Sequence, residues 1–478
     1  MPYGRAGSST VAIRGSSGHR LRHPPEGGRA TVRAGAPART VARPPSGGWR
    51  SRWPLLPLIA TVLLPALPYG MGEGGGPAVG PADVASGVAV LVCVGRLLYL
   101  RRRPLGVVAA LVLGLPAVGF AVAAVTAADP AAALPGLVRY LQVFVLVPAA
   151  VYLLLRDVHG FRIVAGALVV LAAVQGVVGV HQYVTGTGAS YMGEEVRAVG
   201  TFGPSDIMGM ATVVAYGLLA AAACALRTPR NAPAWLRPCA AVVAVALIVP
   251  LALSFSRGVW IATAAAFLVV LALTGRRQAL TSLAVLGASA VVLVGGFGIG
   301  SEMIAERAAS VTQVTRAPDR SVSDRYAMWS AAGGMWREQP LTGVGLKGFP
   351  AHRDAHASIG LSSGSDTAGA GQAFRRQALL SPHNMYLLVL SEQGLIGLTA
   401  IVGSWAAILL GAVRRLVRAR SRGHAAVDCG LVAVALMTWQ SVNFLYSDIG
   451  GPTTVLSGVV LGLAAWWALA EPEKAGTA

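Results

Sequence analysis

Twelve apolar runs govern what this chain can become. They lie at residues 54–70, 82–100, 105–127, 132–155, 161–184, 206–226, 238–254, 258–275, 279–299, 384–412, 425–446 and 453–470, each near the roughly 20 residues a helix needs to cross a bilayer. Hydrocarbon offers no water to a bare N–H or C=O, so such runs fold as helices that satisfy their own backbone. Composition agrees: 54% of residues are hydrophobic, 12% are charged and mean hydropathy is +0.61, against roughly a quarter charged in a soluble domain. A soluble globular domain, a disordered chain and a fibre are excluded. The expected fold is all-α, a polytopic membrane protein with about 12 transmembrane helices and one large extracytoplasmic loop before the last three helices.

The formal charge of +19 would suit nucleic acid if it gathered on one folded surface. It is spread along the chain instead, and 37 of the 39 basic residues are Arg. Residues 1–53 hold ten Arg and one acid, Glu26, among Gly, Pro and Ser. Such a segment buries no core and reads as a disordered basic cytoplasmic tail. Short cytoplasmic loops are enriched in Lys and Arg. With the tail inside, the inner gaps carry Arg101 to Arg103, then Arg156 and Arg162, then Arg227, Arg230 and Arg237, then Arg276 and Arg277, then the run from Arg414 to Arg422. Gaps 71–81 and 128–131 carry none.

This alternation assigns helices 1–9 to residues 54–299 and helices 10–12 to 384–470, and returns a short tail, 471–478, to the cytoplasm. Residues 300–383, with nine basic and seven acidic side chains, form the extracytoplasmic loop, long enough to escape the charge rule. Within it, Ser321 to Arg337 has the pattern of an amphipathic helix at the outer surface, and Gly360 to Gly371 reads as a mobile linker. The four cysteines, Cys93, Cys224, Cys239 and Cys429, sit in or beside apolar runs without a CxxC pair and suggest packing, not disulfides or metal. His352, Asp354 and His356 have a metal-ligand spacing, but no further ligand group accompanies them. Neither metal nor cofactor is expected.

Outside the large loop, three arginines fall on the outer half against the charge rule: Arg139 in helix four, Arg197 after helix five, and Arg257 after helix seven. Charge at membrane depth is costly and normally faces a wet cavity or the protein interior, and the planar guanidinium fork suits phosphate. Together the three could hold a diphosphate without a metal. The plainer alternative is pairing with nearby acids, for example Arg197 with Glu194 or Glu195. Where the loop meets helix ten, Ser381-Pro382-His383-Asn384 places a histidine at the membrane boundary, and its ordinary pKa suits a general base near neutrality. The alternative is a structural hydrogen bond. Glu392 lies nine residues on, on the opposite helix face, and reads as a polar contact inside the bundle. His181 reads as a helix-end hydrogen-bonder, while Asn443, Tyr446 and Asp448 in the last outer loop offer polar groups to the same cavity.

Four segments carry a resemblance: RAVGTFGPSD (197–206), LSFSRGVW (253–260), DRYAMWSAAGGMWREQPLTGVGLKGF (324–349) and SPHNMYLLVLSEQGLIGL (381–398). In this order, over twelve spans with a large loop before the last three, the chain resembles the bacterial O-antigen ligase and polysaccharide polymerase family across about residues 54–470. The resemblance implies a metal-independent membrane glycosyltransferase acting in cell-surface polysaccharide biosynthesis. It would move a glycan from a polyprenyl-diphosphate carrier such as undecaprenyl diphosphate to an acceptor hydroxyl on the outer face. His383 would be the base, and Arg197 and Arg257, with Arg139 as a further member, would bind the diphosphate. One departure matters: relatives carry GTFGNPN where this chain has Gly203-Pro204-Ser205-Asp206, so roles of those amide side chains are not carried over.

The implied partners are the lipid-linked donor, a glycan, lipid or wall acceptor, and membrane lipids, without nucleic acid. The implied location is the bacterial cytoplasmic (inner) membrane, multi-pass, with both termini cytoplasmic. The alternative from another class is a multispan transporter or flippase of lipid-linked or polar substrates. Such proteins tend to show internal repeats and charges near the midplane, whereas no clear repeat relates the halves here and the unusual charges lie at outer ends.

Overall fold

The computed structural model describes residues 52–67, 79–100, 105–191, 197–206, 208–229, 232–291, 320–358, 361, 365–369, 375–377 and 379–470. Almost all of the basic tail, the tail at 471–478, and Glu194 and Glu195 therefore lie outside the described residues. Helices fall on the apolar runs: α1 (Leu56–Leu63), α2 (Pro81–Leu100), α3 (Val107–Val125), α4 (Pro130–Leu141), α5 (Val147–Leu154), α6 (Val158–Thr185), α7 (Gly209–Leu226), α8 (Leu236–Ala246), α9 (Ile248–Ala252), α10 (Arg257–Thr274) and α11 (Arg276–Val291). After the large loop's α12 (Arg320–Glu338) and α13 (Phe349–His356) come α14 (Met385–Ser421), α15 (Val427–Asn443) and α16 (Thr454–Leu469).

Among the described residues, seven helical stretches are long and apolar enough to cross a membrane: Pro81–Tyr99, Val107–Val125, Pro130–Leu154, Val158–Thr185, Gly209–Leu226, Arg257–Thr274 and Met385–Ser421. Trp53–Ala66, Leu236–Ala252 and Thr454–Leu469 are shorter apolar helices. The first stops at Ala66, in a turn containing Pro65, earlier than its apolar run suggests. Polar caps explain other boundaries. Asp129 accepts the N–H groups of Ala131 and Ala132 ahead of Pro130, and Asp157 accepts that of Gly160, satisfying donors that a helix start leaves bare. One wide π turn, Gln142–Leu146, joins α4 to α5.

The core lies around α15 and α16, which are buried almost throughout, with Trp439, Trp466 and Trp467 among the largest fully enclosed side chains. They pack against α5, α7, α10 and α14. At the edge of this core the buried Asp428 receives the partly exposed Arg162 through two bonds, Nε at 2.7 Å and Nη2 at 2.9 Å. Removing one partner of such a pair strands a desolvated charge. Arg162→Ala is expected to destabilise the bundle by about 3 kcal/mol, whereas Arg162→Ala combined with Asp428→Ala should recover most of that loss; thermal unfolding in detergent measures both.

The described residues of the loop preceding α14 hold more regular structure than the sequence suggests. The expected amphipathic helix is present as α12, and it buries Met328, Ala331, Ala332 and Met335 against Val344, Phe349, Leu379 and Leu388, so its apolar face meets protein. The linker expectation is corrected: residues 365–369 form β2 (Ser365–Gly369), which pairs antiparallel with β1 (Ala189–Tyr191) and β3 (Arg375–Gln377). Ladder partners far away in sequence supply an order that the Gly- and Ser-rich composition does not advertise. Most of the rest of Gly360 to Gly371 lies outside the described residues. Among the described residues this small sheet, with the Ala189–Arg197 bridge beside it, interrupts an otherwise all-α framework.

α14 is interrupted. Gly394, about 14 Å into the helix, adopts φ 63°, and residues 340–349 seal the gap. Leu395 N–H donates to Pro340 O (2.9 Å), Ile396 N–H to Leu341 O (3.2 Å), Val344 N–H to Ser391 O (2.9 Å) and Gly345 N–H to Glu392 O (3.1 Å). The same segment reaches α3, with Leu346 N–H donating to Ala123 O at 2.9 Å. Irregular backbone at such depth persists only when protein satisfies it.

Candidate functional site

The His383 turn is fixed from three directions. Asn384 caps α14, its Oδ1 accepting the N–H groups of Tyr386 (3.0 Å) and Leu387 (3.1 Å). The Trp329 indole on α12 donates to Pro382 O at 2.9 Å, and Ser381 Oγ accepts the His383 N–H at 3.4 Å. His383 itself sits at φ 48°, a left-handed conformation that costs a non-glycine residue roughly 1–2 kcal/mol and that this scaffolding maintains. Burial pushes the imidazole pKa below its usual value; the Asp448 carboxylate acts in the opposite direction, and the Arg325 charge adds to the depression.

Arg257 opens α10 behind another tight turn. Phe255 has φ 48°, Ser254 Oγ donates to Leu251 O at 2.6 Å, and the Trp260 indole donates to the same carbonyl at 2.8 Å. Arg197 lies in a short antiparallel bridge with Ala189, with N–H to O distances of 2.8 and 3.0 Å. The next residue, Ala198, donates to Leu253 O at 3.2 Å, which ties the Arg197 strand to the Arg257 turn. Two glutamines of α6 hold residues 199–201. Gln182 accepts Val199 and Gly200 N–H at 3.1 and 2.8 Å, and Gln175 accepts Thr201 N–H at 3.0 Å.

One short segment, the turn between α15 and α16 (residues 444–453), brings these parts together. Its Phe444 and Ser447 carbonyls accept the Met385 N–H at 2.9 and 3.0 Å, two residues from His383. On another side Gly258 lies against Tyr446, where a Cβ would come within 3.0 Å of the tyrosine Cβ. Asp206, the end of the Arg197 segment, accepts the Thr453 hydroxyl at 3.0 Å. Arg139 Nη2 reaches Gly451 O at 3.5 Å. Arg139 itself, and Met385, Gly258 and Asp206 from the segments of His383, Arg257 and Arg197, thus touch one turn.

Arg139 forms an ion pair with Asp83 on α2 and donates to Gln142 Oε1 at 3.1 Å, so its charge already has a carboxylate. Glu392 is 1% exposed and accepts the Phe349 N–H at 3.3 Å, sealing the break in α14 and not addressing His383. The HRDAH side chains have separate neighbours: His352 meets Gly348 O (2.9 Å), Asp354 meets Arg353 (2.8 Å) and His356 meets Glu338 (3.5 Å). Among the described residues no group of three His, Cys, Asp or Glu converges. His181 is an exposed residue of α6.

Under the turn lies a polar cavity of about 60 Å³, bounded by Asp206, Tyr216, Gln440, Asn443, Asp448 and Thr453 among others. Burial holds the Asp206 carboxyl pKa up at about 6, against bonds from Thr453 and Gly209 that favour the ionised form. Sequence reasoning missed Asp83, Gln175, Gln182 and Trp329. A usable signal existed for the glutamines: they stand seven residues apart, two turns on one face, in a helix that is otherwise almost wholly apolar.

No curated protein matches the chain. Residues 241–402 match the family model described as O-antigen ligase, a stretch that includes the Arg257 turn, residues 340–349 and the His383 turn while leaving Arg139 and Arg197 outside. That stretch, about a third of the chain, is similar to the O-antigen ligase family.

Proposed function

We propose that the chain is a glycosyltransferase of the bacterial inner membrane that moves a glycan from a polyprenyl-diphosphate carrier to an acceptor hydroxyl on the outer face, as an O-antigen ligase or a polysaccharide polymerase. The observation that carries this reading is the convergence of His383, Arg257 and the Arg197 strand around one turn, beside a polar cavity. In this reading the twelve helical runs are spans, both termini are cytoplasmic and residues 300–383 are extracytoplasmic, which puts the turn outside. The reaction is an inverting displacement. His383 takes the proton of the acceptor hydroxyl as its oxygen bonds to the anomeric carbon, and the bond from that carbon to the diphosphate breaks. Arg257 and Arg197 stabilise the charge growing on the departing diphosphate, a preorganised electrostatic contribution of the kind that dominates many enzymes. Because these guanidinium groups provide the cation, the proposed chemistry is metal-independent. Arg139, already paired with Asp83, anchors the turn from below.

The test supplies protein in lipid with a labelled polyprenyl-diphosphate oligosaccharide and candidate acceptors. A lengthening carrier-linked ladder identifies a polymerase, and label on an added acceptor identifies a ligase. Arg257→Ala is expected to lower transfer by about 10²–10³, and Arg257→Lys to recover part of it, since charge returns without the fork. Label that changes membrane leaflet without any covalent change would replace the transferase reading with the flippase.

A further inference from the structure

Several hydrogen-bond donors around the cavity under the 444–453 turn are engaged within the protein, and the Gln440 amide and the Thr212 and Ser457 hydroxyls also line it. The Thr453 hydroxyl serves Asp206, the Tyr216 hydroxyl serves Gln440 Oε1, and Asn443 Nδ2 is spent on Ser447 Oγ at 2.8 Å. Two acceptors of its wall, Asn443 Oδ1 and Asp448 Oδ2, are shielded from solvent and receive no hydrogen bond. Asn443 is only 5% exposed. Buried acceptors of this kind ordinarily have a donor, and leaving one bare costs roughly 1–3 kcal/mol. No Lys, Arg or His lines the cavity, while two carboxylates do. The cavity volume, about 60 Å³, holds about four waters on the usual allowance. That suffices for a protruding polar substituent and excludes a sugar ring.

We propose that this cavity is an acceptor subsite, receiving a hydrogen-bond-donating substituent of the acceptor sugar, a hydroxymethyl or an ammonium group, on Asn443 Oδ1, Asp448 and Asp206. The proposal rests on the transferase reading for the word acceptor, and on the cavity alone for the binding. Bare acceptors thereby select sugars that bring donors, because an analogue lacking them leaves those atoms unpaired.

Saturation-transfer NMR on the full chain in lipid nanodiscs tests this, with methyl glucoside and methyl glucosaminide as probes. Saturation of at least one probe is expected in the wild type, with a several-fold loss in Asn443→Leu and in Asp206→Asn. A response to both probes assigns the site to hydroxyls, and a response to the glucosaminide alone assigns it to the ammonium. In transfer assays Asn443→Leu should raise the acceptor KM about tenfold while the donor KM stays put, the pattern of lost acceptor binding. No saturation of either probe, or saturation that survives both substitutions in folded protein, overturns the subsite. Probe binding with no glycan transfer by the wild type under any donor overturns the transferase reading instead and leaves a sugar pocket.

Discussion

Replacing His383 by alanine is expected to lower glycan transfer by about 10²–10⁴, the range a positioned acid or base contributes, while membrane abundance holds. His383→Asn is the sharper control, because asparagine tolerates the left-handed backbone observed at φ 48° and lacks a basic nitrogen. Activity in either variant within a few-fold of wild type would remove the base assignment. The pH profile adds a sign. A base must be neutral to act, and burial holds the folded pKa of His383 below the usual 6.5. The neutral form therefore persists below pH 6.5, and the acidic limb of kcat/KM lies under that value. Asp448 favours the imidazolium and Arg325 opposes it. Asp448→Asn should move the limb down, and Arg325→Gln should move it up. A limb above 6.5, or shifts of reversed sign, contradicts this electrostatic account.

Gly394→Ala is expected to cost about 4 kcal/mol or more, which places it among the severe single substitutions. Two effects combine. The residue has φ 63°, and a new Cβ would lie 2.3 Å from the Leu341 carbonyl carbon and 2.5 Å from Thr342 N, distances at which backbone must move. What moves is the 340–349 segment, so loss of stability should come with proteolytic cleavage before α14. Gly403→Ala, further along the same helix, is the matched control. Its nearest neighbour would be Leu115 Cδ2 at 3.9 Å, and alanine is the better helix former, so melting should hold or rise. Equal melting of the two variants would mean that the segment does not depend on the break.

The helical framework was legible because lipid makes each span a local problem: an apolar run satisfies itself, and caps such as Asp129 and Asp157 can be read in place. The candidate residues were singled out where they broke a local rule, Arg197 and Arg257 by falling in gaps expected to be poor in basic residues and His383 by standing at an expected membrane boundary. What escaped depends on distance in sequence. Asp83 meets Arg139 across 56 residues, Trp329 meets Pro382 across 53, and β2 is ordered by Ala189–Tyr191, so no window along the chain contains both partners. The break in α14 escaped for the same reason: Gly394 looks like any helix glycine until the 340–349 segment lies beside it.

The 444–453 turn also fixes when the site comes into being. The ribosome delivers Arg139, Arg197, Arg257 and His383 first, and the turn that gathers them only afterwards. Until then the Met385 amide lacks its two carbonyl acceptors and Asp206 lacks the Thr453 hydroxyl. Chains fold broadly in the order of synthesis, so a nascent copy can hold its arginines in the membrane without a working centre. In the transferase reading, a chain cut before α15 therefore lacks the turn its site residues share, and it is expected to transfer no glycan.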